Sequence, residues 1–331
     1  MNGLIRSLLC IAFAVPMSEH ASPHVPPARM QLWAFTGPWD SRSDSSLRVN
    51  APRLDAAVTG WIGLDSTTAQ PILPALFPDT IRLRGTHLER MAIVTSWHGD
   101  RFHPTSIRTL GQDDRRLARA AGAIAGHAAA MHYSGLVLDF ESLERSDLPV
   151  LLKVIKTIAD SAHARHVSTI TVASPAADTT VYPARAIARV ADYVMPMLYD
   201  QHWSTSGPGP ISDPEWVRST LAARIAEVGA SKIVAALPTY GYRWQAKAGV
   251  PADPVSFADA QRTVAQAGVA LERDARSNTL RAVKAGAWEI WVTDAELLSK
   301  LARDASAAGV TRVALWRIGQ EDPSIWRALG R

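Results

Sequence analysis

The feature that most constrains this chain is a rhythm. Short apolar runs rich in β-forming residues recur along it, separated by stretches of helical character. The runs cover 32–35, 57–61, 91–95, 135–139, 169–173, 193–197, 232–237 and 312–316. Between them, 115–131, 148–163, 216–228 and 294–308 repeat apolar residues every three or four positions, the period of an amphipathic helix. Parallel neighbours need a crossover, and a helix is the usual one, so this alternation predicts a parallel sheet. Eight strands predict that the sheet closes into a (β/α)8 TIM barrel. The rival is an open doubly wound sheet. It usually carries a glycine-rich phosphate turn after an early strand, and no GxGxxG occurs here.

Two regions break the rhythm. Residues 39–53 are polar and read as a long loop after the first strand. About fifty residues separate the seventh strand from Asp294, more than one helix needs. Within them 255–267 reads as a helix, and 279–283 and 288–292 read as strands joined by Lys284-Ala285-Gly286. The expectation is a small α+β insertion over 246–292, between strand seven and the next helix, inside a barrel domain spanning 30–331.

The start of the chain reads as an export signal over 1–21. Arg6 supplies the positive end, and 7–15 form an apolar run too short to span a bilayer. A cut near Ala21 would leave a periplasmic or secreted bacterial protein, expected to act as a monomer. Cys10 is the single cysteine and falls inside this signal. A mature chain then has no disulfide, cysteine nucleophile or zinc–cysteine site, and must rely on a large core, which 47% hydrophobic residues allow. The net charge of +4 is spread among acids rather than gathered in a basic stripe, which argues against a nucleic-acid partner.

In a barrel the C-terminal strand ends form the active face. The fourth strand ends Asp139-Phe140-Glu141. Side chains alternate along a strand, so Val137, Asp139 and Glu141 should point inward, with Leu138 and Phe140 facing the helices. Two carboxyls at one strand end repel each other and lose solvation, which raises a pKa toward that of a general acid. A helix start capped by Ser142 or Asp139, or a metal-binding carboxylate pair, competes with that reading. The sixth strand ends Tyr199-Asp200, a hydroxyl donor beside an acceptor. Tyr240, Tyr242 and Trp244 follow the seventh strand, and Trp316 ends the eighth. With Trp33 on the first strand and Trp97 after the third, they offer flat faces suited to the apolar side of a sugar ring. Each taken singly also fits a core position.

At this point the residues resemble a known family. Ser134 to Glu141 is similar to the DxxDxDxE signature of glycoside hydrolase family 18, and Met197-Leu198-Tyr199-Asp200 to its MxYD motif. Leu237-Pro238-Thr239-Tyr240-Gly241-Tyr242 and 314–322 resemble a bacterial branch that includes spore-germination and cortex-lytic N-acetylglucosaminidases, and the insertion resembles the chitinase-insertion domain. The likeness runs from about Leu32 to the C-terminus. It implies Glu141 as acid, Asp139 orienting the sugar's acetamide, Tyr199 bonding that acetamide, and Asp200 supporting the sugar or Tyr199. The acetamide oxygen would be the nucleophile, in a retaining reaction on a β-linked glycan containing N-acetylglucosamine. It implies no metal or organic cofactor. Two family aspartates are replaced, by Ser134 and Val137. Losing the carboxylate at 137 should let Asp139 ionise more easily.

Other functions remain open at this level. One is a non-catalytic glycan-binding barrel, although Glu141 is present. Another is a hydrolase of a glycan lacking N-acetyl groups. A third is a metal-dependent deacetylase using His163 and His166, which sit at a helix end away from the strand tips. His98 and His103, after the third strand, have no assigned role.

Overall fold

A computed structural model describes residues 29–73 and 87–331, so the expected signal over 1–21 lies outside the described residues. Eight parallel strands form the frame: β1 (Gln31–Phe35), β2 (Ala56–Leu64), β3 (Glu89–Thr95), β4 (Gly135–Asp139), β5 (Thr169–Pro175), β6 (Tyr193–Met197), β7 (Ala235–Pro238) and β8 (Arg312–Trp316). Each pairs with its neighbours in chain order, and β8 pairs back onto β1, closing the (β/α)8 barrel. The carboxylate strand is in register with β3, with Thr95 opposite Asp139. A register irregularity between Val58 and Gly60 bends β2. A Cβ on Gly60 would meet the Tyr133 ring at 2.6 Å, so only glycine fits there.

Strand alternation sorts the apolar residues into two layers. Trp33, Phe35, Ile93, Val137, Ala173 and Met195 fill the barrel interior. Leu32, Ala34, Leu136, Leu138 and Phe140 face outward to the helices. Among these, α2 (Asp114–Ala130) and α3 (Leu148–His163) bury apolar stripes at helical spacing, as the sequence periodicity predicts. A later helix, α4 (Pro214–Val228), also packs against the core.

One expectation is overturned. Residues 39–53 are mostly helix, with α1 (Ser41–Asn50) capped by Asp40, whose carboxylate accepts from Arg42 N. Leu47 is its one buried aliphatic residue, beside buried Ser43 and Asn50, so no apolar period marks it. Its inner face is held instead by hydrogen bonds.

The insertion is a five-stranded antiparallel sheet, ordered Asp253–Ser256, Tyr240–Gln245, Trp288–Val292, Leu280–Lys284, Glu272–Arg273. A helix, Phe257–Ala267, lies against it, started by Ser256 and ended by Gly268 in the left-handed conformation. The sheet begins at Tyr240 rather than 246. The aromatic segment after β7 is therefore a strand, aimed by its pairing with Trp288–Val292.

Candidate active site

The strand ends surround a cavity of about 760 Å³. It falls within the range of roughly 300–1,000 Å³ usual for small-molecule sites. Asp139, Glu141, Tyr199 and Asp200 line it, with Tyr240, Tyr242, Trp97 and Trp316. Thus four strand ends and the first insertion strand bring most of the expected residues together. Trp33 and Trp244 are not among the lining residues. Trp33 points inward but one layer too low, buried in the barrel core and edge-on to Tyr193 at 6.3 Å. The next inward residue, Phe35, reaches the cavity in its place. Trp244 is buried between the insertion and the loop after β6, with its indole N–H donating to Ser206 O at 2.9 Å.

Among the described residues, no Lys or Arg pairs with Asp139, Glu141 or Asp200. Asp139 is buried, and its Oδ2 accepts from Thr95 Oγ1 at 3.2 Å. Thr95 Oγ1 in turn accepts from Trp97 N at 3.0 Å, tying the wall of the cavity to its floor. Burial pushes Asp139 up to about 6, against the restraining hydrogen bonds from Thr95 and Glu141. The expected easier ionisation, from loss of a carboxylate at 137, is outweighed by desolvation. Glu141 is pushed well above the usual carboxylate range, by burial first and then by the charges of Asp139 and Asp200. Of the two, Glu141 is thus the carboxyl that holds its proton more tightly, beside an Asp139 that ionises more readily.

Asp200 is also raised by burial, restrained by the hydroxyls of Tyr240 and Tyr242. Tyr240 donates to its Oδ1. Burial first, and then the charges of Asp139, Glu141 and Asp200, push the Tyr199 hydroxyl well above its ordinary range, which keeps it a neutral donor. It lies edge-on to Tyr240 at 6.2 Å, and Tyr240 to Tyr242 at 5.6 Å. The anions thus face hydroxyls rather than guanidinium groups, which leaves their proton affinity high.

Several lining residues carried no usable signal in the sequence. Trp39, 53% exposed, sits on the rim, edge-on to Trp61 at 5.0 Å and over the Arg317 guanidinium at 5.4 Å. Trp97 pairs with Phe102 at 5.1 Å on the lip after β3, where His98 bonds Ser66 Oγ at 3.0 Å. His103 supports that lip through the carbonyl of His98, at 3.0 Å. Trp97 is the one of these that the sequence marked as a candidate platform. What could have flagged Trp39 is its place directly after β1, once the eight strands were accepted.

His163 is at the other end of the barrel, bonded to Asp192 at 3.0 Å just before β6 begins. That removes it, with its neighbour His166, from any site at the strand tips.

The Glycosyl hydrolases family 18 profile matches residues 31–321, nearly the whole barrel and its insertion. The chain belongs to that family. This enzyme is therefore a glycoside hydrolase acting on a carbohydrate. It is 23% identical to the cortical fragment-lytic enzyme of Bacillus subtilis over 93% of this chain and 75% of that one. It is 24% identical to the uncharacterized glycosylase YvbX of the same organism, over 60% of each chain, so the match spans under two thirds of that relative. Among solved structures the hydrolase resembles the spore cortex-lytic enzyme SleL of Bacillus cereus. The TM-score is 0.79 at 17% identity, over 91% of this chain and 74% of that one. It also resembles a chitinase from Chromobacterium violaceum, with a TM-score of 0.78 at 20% identity, over 91% and 98% of the two chains. At these identities the structural likeness concerns the fold. No helix among the described residues is long and apolar enough to cross a membrane.

Proposed function

We propose that the enzyme is exported and cleaves a β-linked glycan containing N-acetylglucosamine, such as peptidoglycan, chitin or an exopolysaccharide. The proposed mechanism is retaining and substrate-assisted. Glu141 protonates the leaving oxygen. Asp139, as an anion, orients the acetamide and stabilises the oxazolinium ion formed when the acetamide oxygen attacks C1. Tyr199 donates its hydroxyl to the acetamide. Asp200, held by Tyr240 and Tyr242, supports Tyr199 and the sugar, and Trp316 lies under the ring. Water then opens the oxazolinium, with Glu141 taking back a proton.

The observation that carries this reading is the placement of the two carboxyls. Asp139 ends β4 and Glu141 follows two residues later, and both line the cavity. Two groups so placed approach a glycosidic bond from the same side. A carboxylate nucleophile and an acid must flank it. Among the described residues Asp200 is the remaining carboxylate lining the cavity, and the hydroxyls of Tyr240 and Tyr242 already engage it. The substrate is then the natural source of the nucleophile. A non-catalytic barrel would have no use for a carboxyl so costly to ionise.

The test is cleavage of matched oligomers with and without N-acetyl groups at the scissile sugar. Substrate assistance requires cleavage of the acetylated oligomer, retention at C1 and inhibition by a thiazoline mimic of the oxazolinium ion. Equal cleavage of both oligomers would overturn it and point to Asp200 as nucleophile. Export is tested separately, by sequencing the N-terminus of protein recovered outside a bacterial cytoplasm.

A further inference from the structure

Glu141 stands where β4 ends and the chain reverses, and the reversal is strained. Ser142, directly after it, has φ +61°, a left-handed conformation that side chains other than glycine rarely adopt. Something must hold a turn of that kind, because a general acid displaced by a fraction of an ångström loses its line to the leaving oxygen. The holding group is Tyr182, in the loop after β5. Its ring is buried in the helix-facing core. Its hydroxyl donates to Phe140 O at 2.8 Å. One hydroxyl therefore pins the carbonyl of the residue directly before Glu141. Tyr182 does not line the cavity.

The loop that carries Tyr182 is itself locked. Arg224, on α4, is completely buried, and its guanidinium faces four carbonyls of that loop. Nε donates to Ala176 O at 2.9 Å, and Nη2 to Pro175 O at 2.8 Å and Asp178 O at 2.7 Å. Nη1 donates to Tyr182 O at 2.7 Å and to Glu227 Oε1 at 3.2 Å. All five N–H groups are used. A buried guanidinium spent on a loop's carbonyls is a costly fixture for a connector, and it makes sense if what the loop presents must not move.

We propose that Tyr182 is a positioning residue for the general acid, clamping the Phe140–Leu143 turn so that the Glu141 carboxyl stays aimed at the leaving oxygen, with Arg224 as the anchor of the clamp. This rests on the reading of Glu141 as the acid.

The decisive variant is Tyr182→Phe, which removes one hydroxyl and keeps the ring. It is assayed by kcat/KM, which reports steps up to bond cleavage, on an unactivated N-acetylglucosamine oligomer and on an aryl glycoside whose phenol leaves without protonation. The expected loss is roughly ten- to a hundredfold on the oligomer and under about threefold on the aryl glycoside. Both substrates are read in one preparation, so the ratio does not depend on how much of the variant folds. Equal losses on the two substrates, or no loss on either, would overturn the clamp. Glu141→Gln, measured beside it, separates the two readings. If it shows the same leaving-group pattern more strongly while Tyr182→Phe does not, the acid stands and the clamp falls. If Glu141→Gln turns over the oligomer normally, the acid reading falls and takes the clamp with it.

Discussion

Two aspartates at the same barrel mouth have opposite fates. Asp40, at the corner after β1, and Asp139, at the end of β4, both have little contact with solvent. Burial alone would raise both. At Asp40 it is outweighed by Arg42 and Arg317, whose hydrogen bonds and charge bring the carboxyl down to about 2. At Asp139 only Thr95 and Glu141 oppose it, and the carboxyl rises to about 6. Asp40 caps α1 and holds Arg317 Nη1 at 3.0 Å, with the Trp39 ring against that guanidinium, so it builds the wall of the site. Asp139 is kept short of partners beside the acid. The comparison teaches that burial does not decide whether a carboxylate is structural or chemical. The partner does, and a site that must move protons is built by withholding cations.

Breaking the chemical corner should have the largest effect. Glu141→Gln keeps the shape but cannot donate a proton. Turnover of an unactivated glycan should fall by about two to four orders of magnitude, with the thermal midpoint little changed. Near-normal turnover would show that Glu141 is not the acid.

The two aspartates should differ in the sign of their stability effects. The folded-state pKa of Asp139 lies above its ordinary value, so its ionisation opposes folding, and stability is lost as pH rises from about 4 to about 6. Asp139→Asn removes that cost and should stabilise the protein at pH 7 by about 1–3 kcal/mol while abolishing most activity. Asp40 behaves oppositely. Its folded pKa is depressed, so its contribution is present above about pH 4 and lost as pH falls toward 2. Asp40→Asn should lower stability at pH 7 by about 1–2 kcal/mol and flatten the acid limb of the unfolding curve. Denaturant melts of both variants across pH 2–8 read this directly. If both lose stability at pH 7, the contrast is wrong.

A subtler effect concerns the residual activity of Asp139→Asn. The Asp139 charge is one of the groups that raise Glu141. Without it Glu141 should titrate at lower pH, and the alkaline limb of kcat/KM should move to lower pH. An unmoved limb would assign it to another group. The smallest expected effect is at Trp316, which lines the cavity and lies edge-on to Phe35 at 5.2 Å. Trp316→Ala should weaken oligosaccharide binding by about 1 kcal/mol by calorimetry. A loss of about 3–5 kcal/mol of stability, with binding unchanged in the folded fraction, would mark it as core.

Much of this was legible in the chain. The eight strands, the inward turn of Asp139 and Glu141, the closed barrel and the aromatic strand ends all follow from local periods and from the rule that a barrel works at its C-terminal strand ends. The failures share a cause. Helix α1 was missed because hydrogen bonds, not an apolar stripe, hold its inner face, with Ser43 Oγ accepting from Gly37 N at 3.0 Å and from Arg317 at 3.2 Å. Trp33 was placed in the site because alternation gives the direction of a side chain and not its height in the barrel. Trp244 lies outside the cavity because its strand pairs into the insertion sheet and its indole turns to the loop after β6.

By itself, then, the sequence determined which residues face inward and which strand ends in the paired carboxyls, because those depend on neighbours along the chain. Only the tertiary structure decided which carboxylate meets a guanidinium and which meets a hydroxyl. Asp40 and Arg317 are brought together by closure of β8 onto β1, and Tyr182 reaches Phe140 from the loop after the next strand. A charge is tuned by what stands within a few ångströms of it, and in a closed barrel many of those neighbours come from other strands and their loops.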